Sequence, residues 1–568
     1  MRQRITASFL DKMNRLAQKL RYNHKKGDII LATVSGVATT KPELVRLFDR
    51  KIDAIDIITT KSFQVTPNSG NREPVVCSPA AGNFGNSVGL RNPGMDAAYP
   101  ELAEIRKSGM RALLNVSVSA SNPDDFITLV HRFDSIADSI ELNFSCPHAA
   151  KGFGASIGSD INIAREYVER IHAATKDRKA LLIIKLTPNV DNIGEIAKAV
   201  IDAGADGIAA INTVGPKLYI EPDSGSPILN NKVGGKGGAS GEWVKDRAIE
   251  CIREIRSAIG DEPIILGMGG VSKAEDAAKM IEAGADSVGI GSALSRVEPS
   301  AWNEYLSRIK NGENADDLLS DKNMLEYKKH TVLSAEKHWE DIIILTLSGE
   351  LDCHPGEFAF LWIPGKGEKP FSIARNKPLT FLIKRRGEFT SSCFDLKAGD
   401  SVYLRGLYGK SLELKNSHNA LLLAGGSGVA VLPLLAERLA PMGTSLDIRV
   451  GIVKKEGKDP LEDVLSQYGH YMGVADDGKP GRVLDTLTAD SIKEDMKAYV
   501  VGPGKMMEAA AKKLVSLGMS EDDIFLSMEK NTMCGIGMCG ECVCGGKLPC
   551  KEGTFFSWSE LVANGVSL

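Results

Sequence analysis

Five of the chain's ten cysteines crowd into its last stretch, CGIGMCGECVCGGKLPC, between Cys534 and Cys550. Cys534, Cys539 and Cys542 stand as C-x4-C-x2-C with Cys550 a short way beyond, a spacing that holds a [2Fe–2S] cluster on four thiolates. Gly535, Gly537 and Gly540 let the backbone wrap closely and turn N–H groups toward sulfur. Cys544 then packs beside the cluster rather than ligating it. A structural zinc site is the competing reading, but such sites usually pair their cysteines as two C-x2-4-C knuckles. Single-electron transfer is therefore the expected chemistry. A second reactive position is Cys146, in IELNFSCPH, just past a predicted strand ending near Asn143. A thiol with a pKa of about 8.5 suits proton abstraction after modest tuning; spacing alone equally allows a buried, inert cysteine. Asn143 is positioned to hydrogen-bond a planar heterocycle, and Lys61 and Lys185 to stabilise an anionic ring.

The elements that position these residues are short β-branched runs alternating with amphipathic stretches. DIILATV, AIDIITTKS, ALLNVSV, SIELNFS, ALLIIKLTP, GIAAINTV, PIILGMGG and SVGIGSA are the strand candidates. About eight strand–helix units in roughly 270 residues predict a TIM (β/α)8 barrel within an α/β protein. Lys61, Asn115, Asn143, Lys185 and Asn212 are expected at the C-terminal ends of their strands, the face where such barrels carry chemistry. Two late glycine turns, GMGG and GIGSA, match the phosphate site that barrels build after strands 7 and 8 and point to a cofactor such as FMN.

Length excludes a single core. The expected division is an N-terminal helical segment (1–27), a barrel (28–312), a linker (313–329), a small antiparallel β-barrel (330–417), an α/β nucleotide-binding domain (418–528) and a cysteine-cluster domain (529–568). The net charge is −4, from 69 basic and 73 acidic side chains. With no basic block, nothing points to nucleic acid or an anionic membrane. No apolar run reaches the roughly 20 residues a membrane span needs, and the start lacks a signal core. Cysteines gathered in one cluster fit a reducing compartment rather than a disulfide framework, so the cytoplasm is expected.

In the first half NSVGLRNPG (86–94), ELNFSCPH (141–148), KLTPNV (185–190), INTV (211–214), GGASG (237–241) and GMGG resemble the class 1 dihydroorotate dehydrogenase barrel, in the family's order, over about residues 28–295. The resemblance implies FMN near Ser35, Gly36, Lys61, Asn115, Asn143, Lys185, Gly241, Gly269, Gly270, Gly291 and Ser292. It implies a pyrimidine held by Asn86, Asn143 and Asn212, with Lys61, His148 and Thr213 alongside, and Cys146 as the base that takes the C5 proton of dihydroorotate. Three departures stand out. The family usually has Asn where this chain has His148, and SCPH is similar to the related dihydropyrimidine dehydrogenases. Those relatives carry a carboxylate where this chain has Val88, which spares the orotate carboxylate a repulsive neighbour. A helical segment replaces the family's usual opening strands.

In the second half KPFSIA resembles the FAD-binding barrel of the ferredoxin reductase superfamily, which implies FAD contacts from Lys369, Phe371 and Ser372. Lys369 stands in place of the customary Arg and Leu407 in place of a proline. AGGSGVAVLPLL, with Gly425, Gly426 and Gly428, opens a helix after a buried strand and suits a pyrophosphate. Paired with GPGKMM (Gly502, Pro503), it is similar to the superfamily's NAD(P) lobe, with Val501 where a Cys is common. Lys454 and Lys455 follow the next strand and suit either a 2′-phosphate or a solvated strand end; NAD is expected. The order FAD barrel, NAD lobe, [2Fe–2S] resembles the electron-transfer subunit of class 1B dihydroorotate dehydrogenase, there normally a separate polypeptide and here fused to the barrel. The resemblance implies NAD-linked dihydroorotate oxidation through FMN, [2Fe–2S] and FAD, and a homodimer. A uracil- or thymine-reducing dehydrogenase and a barrel without catalysis are the alternatives.

Overall fold

Apolar runs in the first half fold into strands buried on both faces, as in Ile55–Thr59 and Leu113–Val118, which have no exposed residue. The computed structural model describes residues 29–144, 157–338, 340–452, 459–475, 482–566 and 568. The expected N-terminal helix, Cys146, His148, Lys454 and Lys455 lie outside the described residues. The chain divides into two compact units, the first comprising Met1–Leu325 with Ile536–Glu541 and the second Glu326–Gly535 with Cys542–Leu568. Among the described residues no helix is long and apolar enough to cross a membrane.

The first unit runs β1 (Leu31–Thr33), α1 (Pro42–Lys51), β2 (Ile55–Thr59), β3 (Val76–Ala80), β4 (Asn83–Asn86), α2 (Met95–Lys107), β5 (Leu113–Val118), α3 (Pro123–Phe133) and β6 (Ser139–Asn143). It continues α4 (Ile161–Ala174), β7 (Leu181–Lys185), α5 (Ile193–Asp202), β8 (Gly207–Ala210), β9 (Val214–Leu218), β10 (Lys236–Gly241), α6 (Lys245–Ile259), β11 (Ile264–Met268), α7 (Ala274–Glu282) and β12 (Ser287–Ile290). Strands β1-β2-β5-β6-β7-β8-β11-β12 close into a barrel, paired in parallel throughout. Each of the eight expected segments contains one of these strands. The helices turn apolar faces inward; α5 buries Ile193, Ile196, Ala197 and Val200, the i, i+3, i+4, i+7 stripe of a core-facing helix. A second sheet, β3-β4-β10-β9, inserts beside the barrel. Its strands NFGN and KGGASG are rich in glycine and polar residues and are not among the strands expected from sequence.

Period-2 alternation sorts the barrel interior into layers. Ile57, Leu113, Ile183, Ala209 and Leu266 form an apolar cluster. One pleat further toward the strands' C-terminal ends come Thr59, Asn115 and Lys185, and another pleat along β5 comes Ser117. The opposite end is stitched by a recurring device. Asp56, Asp138, Asp206 and Asp286 each accept the backbone N–H of the strand before their own, from Leu31, Leu114, Leu182 and Ile265. Each also pairs with a base: Lys310 at 2.6 Å, Arg106 at 2.8 Å, Arg178 at 2.9 Å and Arg256 at 2.7 Å. The barrel is thus bound as four strand pairs.

The second unit carries β13 (Lys328–His338), β14 (Ile342–Leu347), β15 (Phe358–Ile363), β16 (Gly367–Ser372), β17 (Arg375–Asn376), β18 (Leu379–Lys384) and β19 (Ser401–Tyr408). These form an antiparallel sheet in the order β16-β15-β19-β13-β14-β18-β17. The sequence predicts antiparallel strands here, and the sheet is antiparallel, its ladder order running from β16 to β17, the latter only two residues long. Next come β20 (Asn419–Gly425), β21 (Ser445–Ile452), β22 (His470–Ala475), β23 (Met496–Val501), β24 (Ile524–Ser527) and β25 (Phe555–Ser557). Their order is β22-β21-β20-β23-β24-β25, parallel except for β25. Strand order reverses between β20 and β23, the place where open α/β sheets hold ligands.

Candidate functional site

The barrel's C-terminal face gathers most of the residues expected there. Asn143 and Lys185 end β6 and β7, while Ser35–Gly36, Lys61, Asn212, Gly269–Gly270 and Gly291–Ser292 follow β1, β2, β8, β11 and β12. Asn143 donates to Ser62 Oγ at 3.1 Å and accepts from Asn212 Nδ2 at 3.4 Å. Ser62 in turn meets Ser35 at 3.2 Å and Ser117 at 2.9 Å. Ser117 donates to Glu141 Oε1 at 2.9 Å, and Lys185 Nζ lies 3.5 Å from the same oxygen. One continuous polar network therefore joins loops and strand ends around the mouth. Asn212 also fixes its neighbour, accepting from the Thr213 N–H at 2.8 Å.

Asn115 requires a correction. It is the third residue of β5, not its end, fully buried, donating to Thr59 Oγ1 at 3.2 Å and accepting from Ser139 Oγ at 2.8 Å. Its polarity is absorbed inside the barrel, one pleat below the mouth, and Ser117 takes the position expected of it. Asn86 ends β4 and donates to Gly238 O at 3.3 Å, so it stands on the inserted sheet with Gly241, which ends β10. Ser62 and Ser117 join the network with no motif to mark them, and Glu141, which opens ELNFSCPH, joins it although the motif does not single it out. Alternation could have found two of the three: counting back two from Asn143 gives Glu141, and forward two from Asn115 gives Ser117; Ser62 follows β2 and carries no such signal.

Lys61 is nearly buried, and desolvation pushes its ammonium below the ordinary lysine range, while Glu541 and Cys539 hold it up against that burial. Glu541 lies 3.7 Å from Lys61, 3.1 Å from Lys41 and 3.7 Å from Arg91. Its segment is seated by the Ala38 N–H donating to Met538 O at 2.9 Å and by Thr40 Oγ1 donating to Cys539 O at 2.6 Å. Gly540 is required there: its φ is +69°, and a Cβ would fall 2.2 Å from Thr40 Oγ1.

The mouth fits a flavin mononucleotide. Among the described residues Glu141 Oε2 is buried with no hydrogen-bond partner, an acceptor awaiting a donor, while Lys185, Asn143 and Ser62 present donors in the same network. Lys185 and Lys61 would face the ring, and the turns at Gly269–Gly270 and Gly291–Ser292 the phosphate.

In the second unit Gly425, Gly426, Gly428, Gly502 and Pro503 line one cavity of about 880 Å³ with Lys384, Arg386 and Lys505. It opens at the switch point between β20 and β23 and at the N-terminus of the helix Gly504–Ser516, whose free N–H groups suit an anion. Gly428 lies tight against β23: a Cβ would sit 2.6 Å from Val501 O. Lys369, Phe371 and Ser372 lie on β16, paired with Leu361, Ala359 and Phe358 of β15.

Cys534, Cys542 and Cys550 are buried in this unit, with Cys542 and Cys550 sulfurs 3.4 Å apart. Hydrogen bonds to Cys534 and Cys542, together with burial, push the Cys550 thiol well above its ordinary range. Among the described residues no three His, Cys, Asp or Glu side chains surround a single metal-ion position. Cys542 and Cys550, with Cys534 buried in the same unit, offer thiolates, the donor type such a cluster takes. Cys539, the fourth expected ligand, belongs to the first unit. Cys544 sits in the apolar core with Met528 and Phe556.

Residues 16–311 match the family model described as dihydroorotate dehydrogenase. The chain is 38% identical over 239 residues to the dihydroorotate dehydrogenase B (NAD(+)) catalytic subunit of Methanopyrus kandleri, covering 42% of this chain and 73% of that protein. It is 39% identical over 238 residues to the same-named subunit of Methanothermobacter thermautotrophicus, covering 42% and 74%. Identity is 38% over 269 residues with that of Pyrococcus abyssi, covering 47% and 84%.

Proposed function

The chain belongs to the dihydroorotate dehydrogenase family, and from that premise we propose that it oxidises dihydroorotate to orotate with NAD+ as final acceptor. The observation that carries the reading is the network at the barrel mouth, where Asn143, Asn212, Ser62 and Lys185 converge on one buried face. Amide groups of Asn143, Asn212 and Asn86 hold the pyrimidine edge, and Lys61 and Lys185 offset negative charge developing on the ring. Cys146, three residues beyond Asn143 in the sequence, accepts the C5 proton. FMN, when bound, supplies the acceptor for the C6 hydride. Cys534, Cys539, Cys542 and Cys550 would hold a [2Fe–2S] cluster able to pass single electrons to FAD, which would hand them to NAD+ as a hydride, and the second unit's cavity of about 880 Å³ would take the dinucleotide. The barrel and its electron-transfer partner are thereby one polypeptide, acting in the cytoplasm as a homodimer.

Anaerobic mixing of the cofactor-loaded chain with dihydroorotate or dihydrouracil tests this, following flavin bleaching and NADH formation. Dihydroorotate is expected to bleach the flavin and yield NADH. A response to dihydrouracil alone would replace the reading with pyrimidine reduction and make His148 the selective residue. Silence with both, while NADH still reduces FAD, would refute the assigned substrate.

A further inference from the structure

Arg405, on β19, is a fully buried guanidinium whose five N–H donors are all spent. Nε donates to Glu368 Oε2 at 2.8 Å and Nη2 to Glu368 Oε1 at 2.6 Å, a bidentate pair with both side chains wholly shielded from water. Tyr327 OH also donates to Glu368 Oε2, at 2.7 Å. Nη1 donates to Tyr408 OH at 2.7 Å and to the backbone oxygen of Cys534 at 2.9 Å; Nη2 reaches Met533 O at 3.3 Å. The guanidinium carbon stands 3.8 Å over the Phe360 ring.

A buried ion pair is seldom more stabilising than an apolar filling of the same volume, and its best-attested use is to specify a single arrangement. Here the arrangement specified is that of a loop: two donors of a rigid fork grip consecutive carbonyls, those of Met533 and Cys534, at the entry to the cysteine array. Lysine has no such fork. Resting on the cluster reading, we propose that Arg405 and Glu368 form a positioning strut that presets the Cys534 limb for thiolate binding, so that cluster retention depends on a pair that touches no sulfur.

The test uses the full chain, reconstituted anaerobically with iron and sulfide, as wild type, Arg405→Lys, and the double variant Arg405→Met with Glu368→Met. The double exchange removes the pair without stranding a charge; far-UV circular dichroism and thermal unfolding establish that it folds. Iron and acid-labile sulfide per chain, and the rate of visible bleaching by a chelator, read the cluster. Amide hydrogen exchange over the peptide around Met533 and Cys534, in the cluster-free chain, reads the strut by itself. Chelator bleaching at least tenfold faster in both variants, with exchange around Cys534 at least tenfold faster in the double variant, is expected. Wild-type bleaching and exchange in the folded double variant would overturn the strut, as would a wild-type cluster in Arg405→Lys. Wild type that takes up no iron while the double variant exchanges faster would overturn the cluster reading and leave the strut standing.

Discussion

Removing the Glu141 carboxylate strands a charge inside the barrel. Glu141 is fully buried, Lys185 Nζ lies 3.5 Å from its Oε1, and Ser117 donates to the same oxygen. At that separation and an effective dielectric of about 20, the gross attraction is about 5 kcal/mol. Breaking one side of such a pair costs about 3–5 kcal/mol because the remaining ion stays buried and uncompensated; the Ser117 hydroxyl keeps Ser62 as a partner at 2.9 Å. Glu141→Leu is therefore expected to lower the barrel's melting transition by about 6–20 °C, at about 2–4 °C per kcal/mol for a unit approaching this size. Replacing both partners, as Glu141→Leu with Lys185→Met, is expected to restore most of that loss, giving a coupling of about 3 kcal/mol or more. Flavin affinity falls in both, since both take away a polar side chain from the proposed FMN face. Scanning calorimetry of the full chain, with flavin titration alongside, measures the two effects separately. A melting shift under about 3 °C for Glu141→Leu, or a double variant no more stable than the single, would refute the buried-pair argument.

Cys146→Ala is expected to abolish dihydroorotate turnover while FMN remains bound, seen as an unchanged flavin-to-protein ratio with no bleaching; unimpaired turnover at neutral pH would remove the assigned base. Asn143→Ala breaks the links to Ser62 and Asn212, and two lost hydrogen bonds worth about 0.5–1.5 kcal/mol each should weaken orotate binding about 5- to 100-fold by fluorescence titration. Gly428→Ala would press a methyl against the Val501 carbonyl; the displaced loop is expected to raise the Kd for NADH at least tenfold in calorimetric titration, with dihydroorotate still bleaching the flavin.

The barrel is legible because its strands are the chain's concentrated β-branched runs, and the helix between β7 and β8 announces itself through apolar spacing. The polar residues at strand ends are less secure markers. Asn143 and Lys185 do end their strands, but Asn115 does not: β5 runs on through Val116, Ser117 and Val118, and an inward-facing amide satisfied by Thr59 and Ser139 looks the same in sequence as one at a rim. The inserted sheet escapes for a different reason. NFGN and KGGASG lack the branched side chains that mark strands, and GGASG, quoted only for its resemblance, is most of β10. Glu141 is hidden because a carboxylate in a strand suggests solvent, and only its position two residues before Asn143 places it inside. In the second unit the glycines of β20 and the turn after β23 are far apart in sequence, yet parallel pairing of β20 with β23 makes them one cavity wall.

The four aspartate stitches divide the barrel into quarters, each two strands locked at their base by a carboxylate and a basic side chain. Within a quarter, the second strand's aspartate satisfies the first strand's amide; across quarter boundaries the described residues show no lock of that form, only Asp49 and Asp134 holding the amides that lead into β5 and β7. The arrangement gives the barrel preferred lines of cleavage. New chain termini introduced between β2 and β5, between β6 and β7, or between β8 and β11 leave all four locks on continuous segments, whereas a break between β5 and β6 separates Leu114 from Asp138 along the chain. Rearranged barrels opened between quarters should accordingly fold more readily than barrels opened within one, and a four-part repeat stands as the natural grain of this molecule.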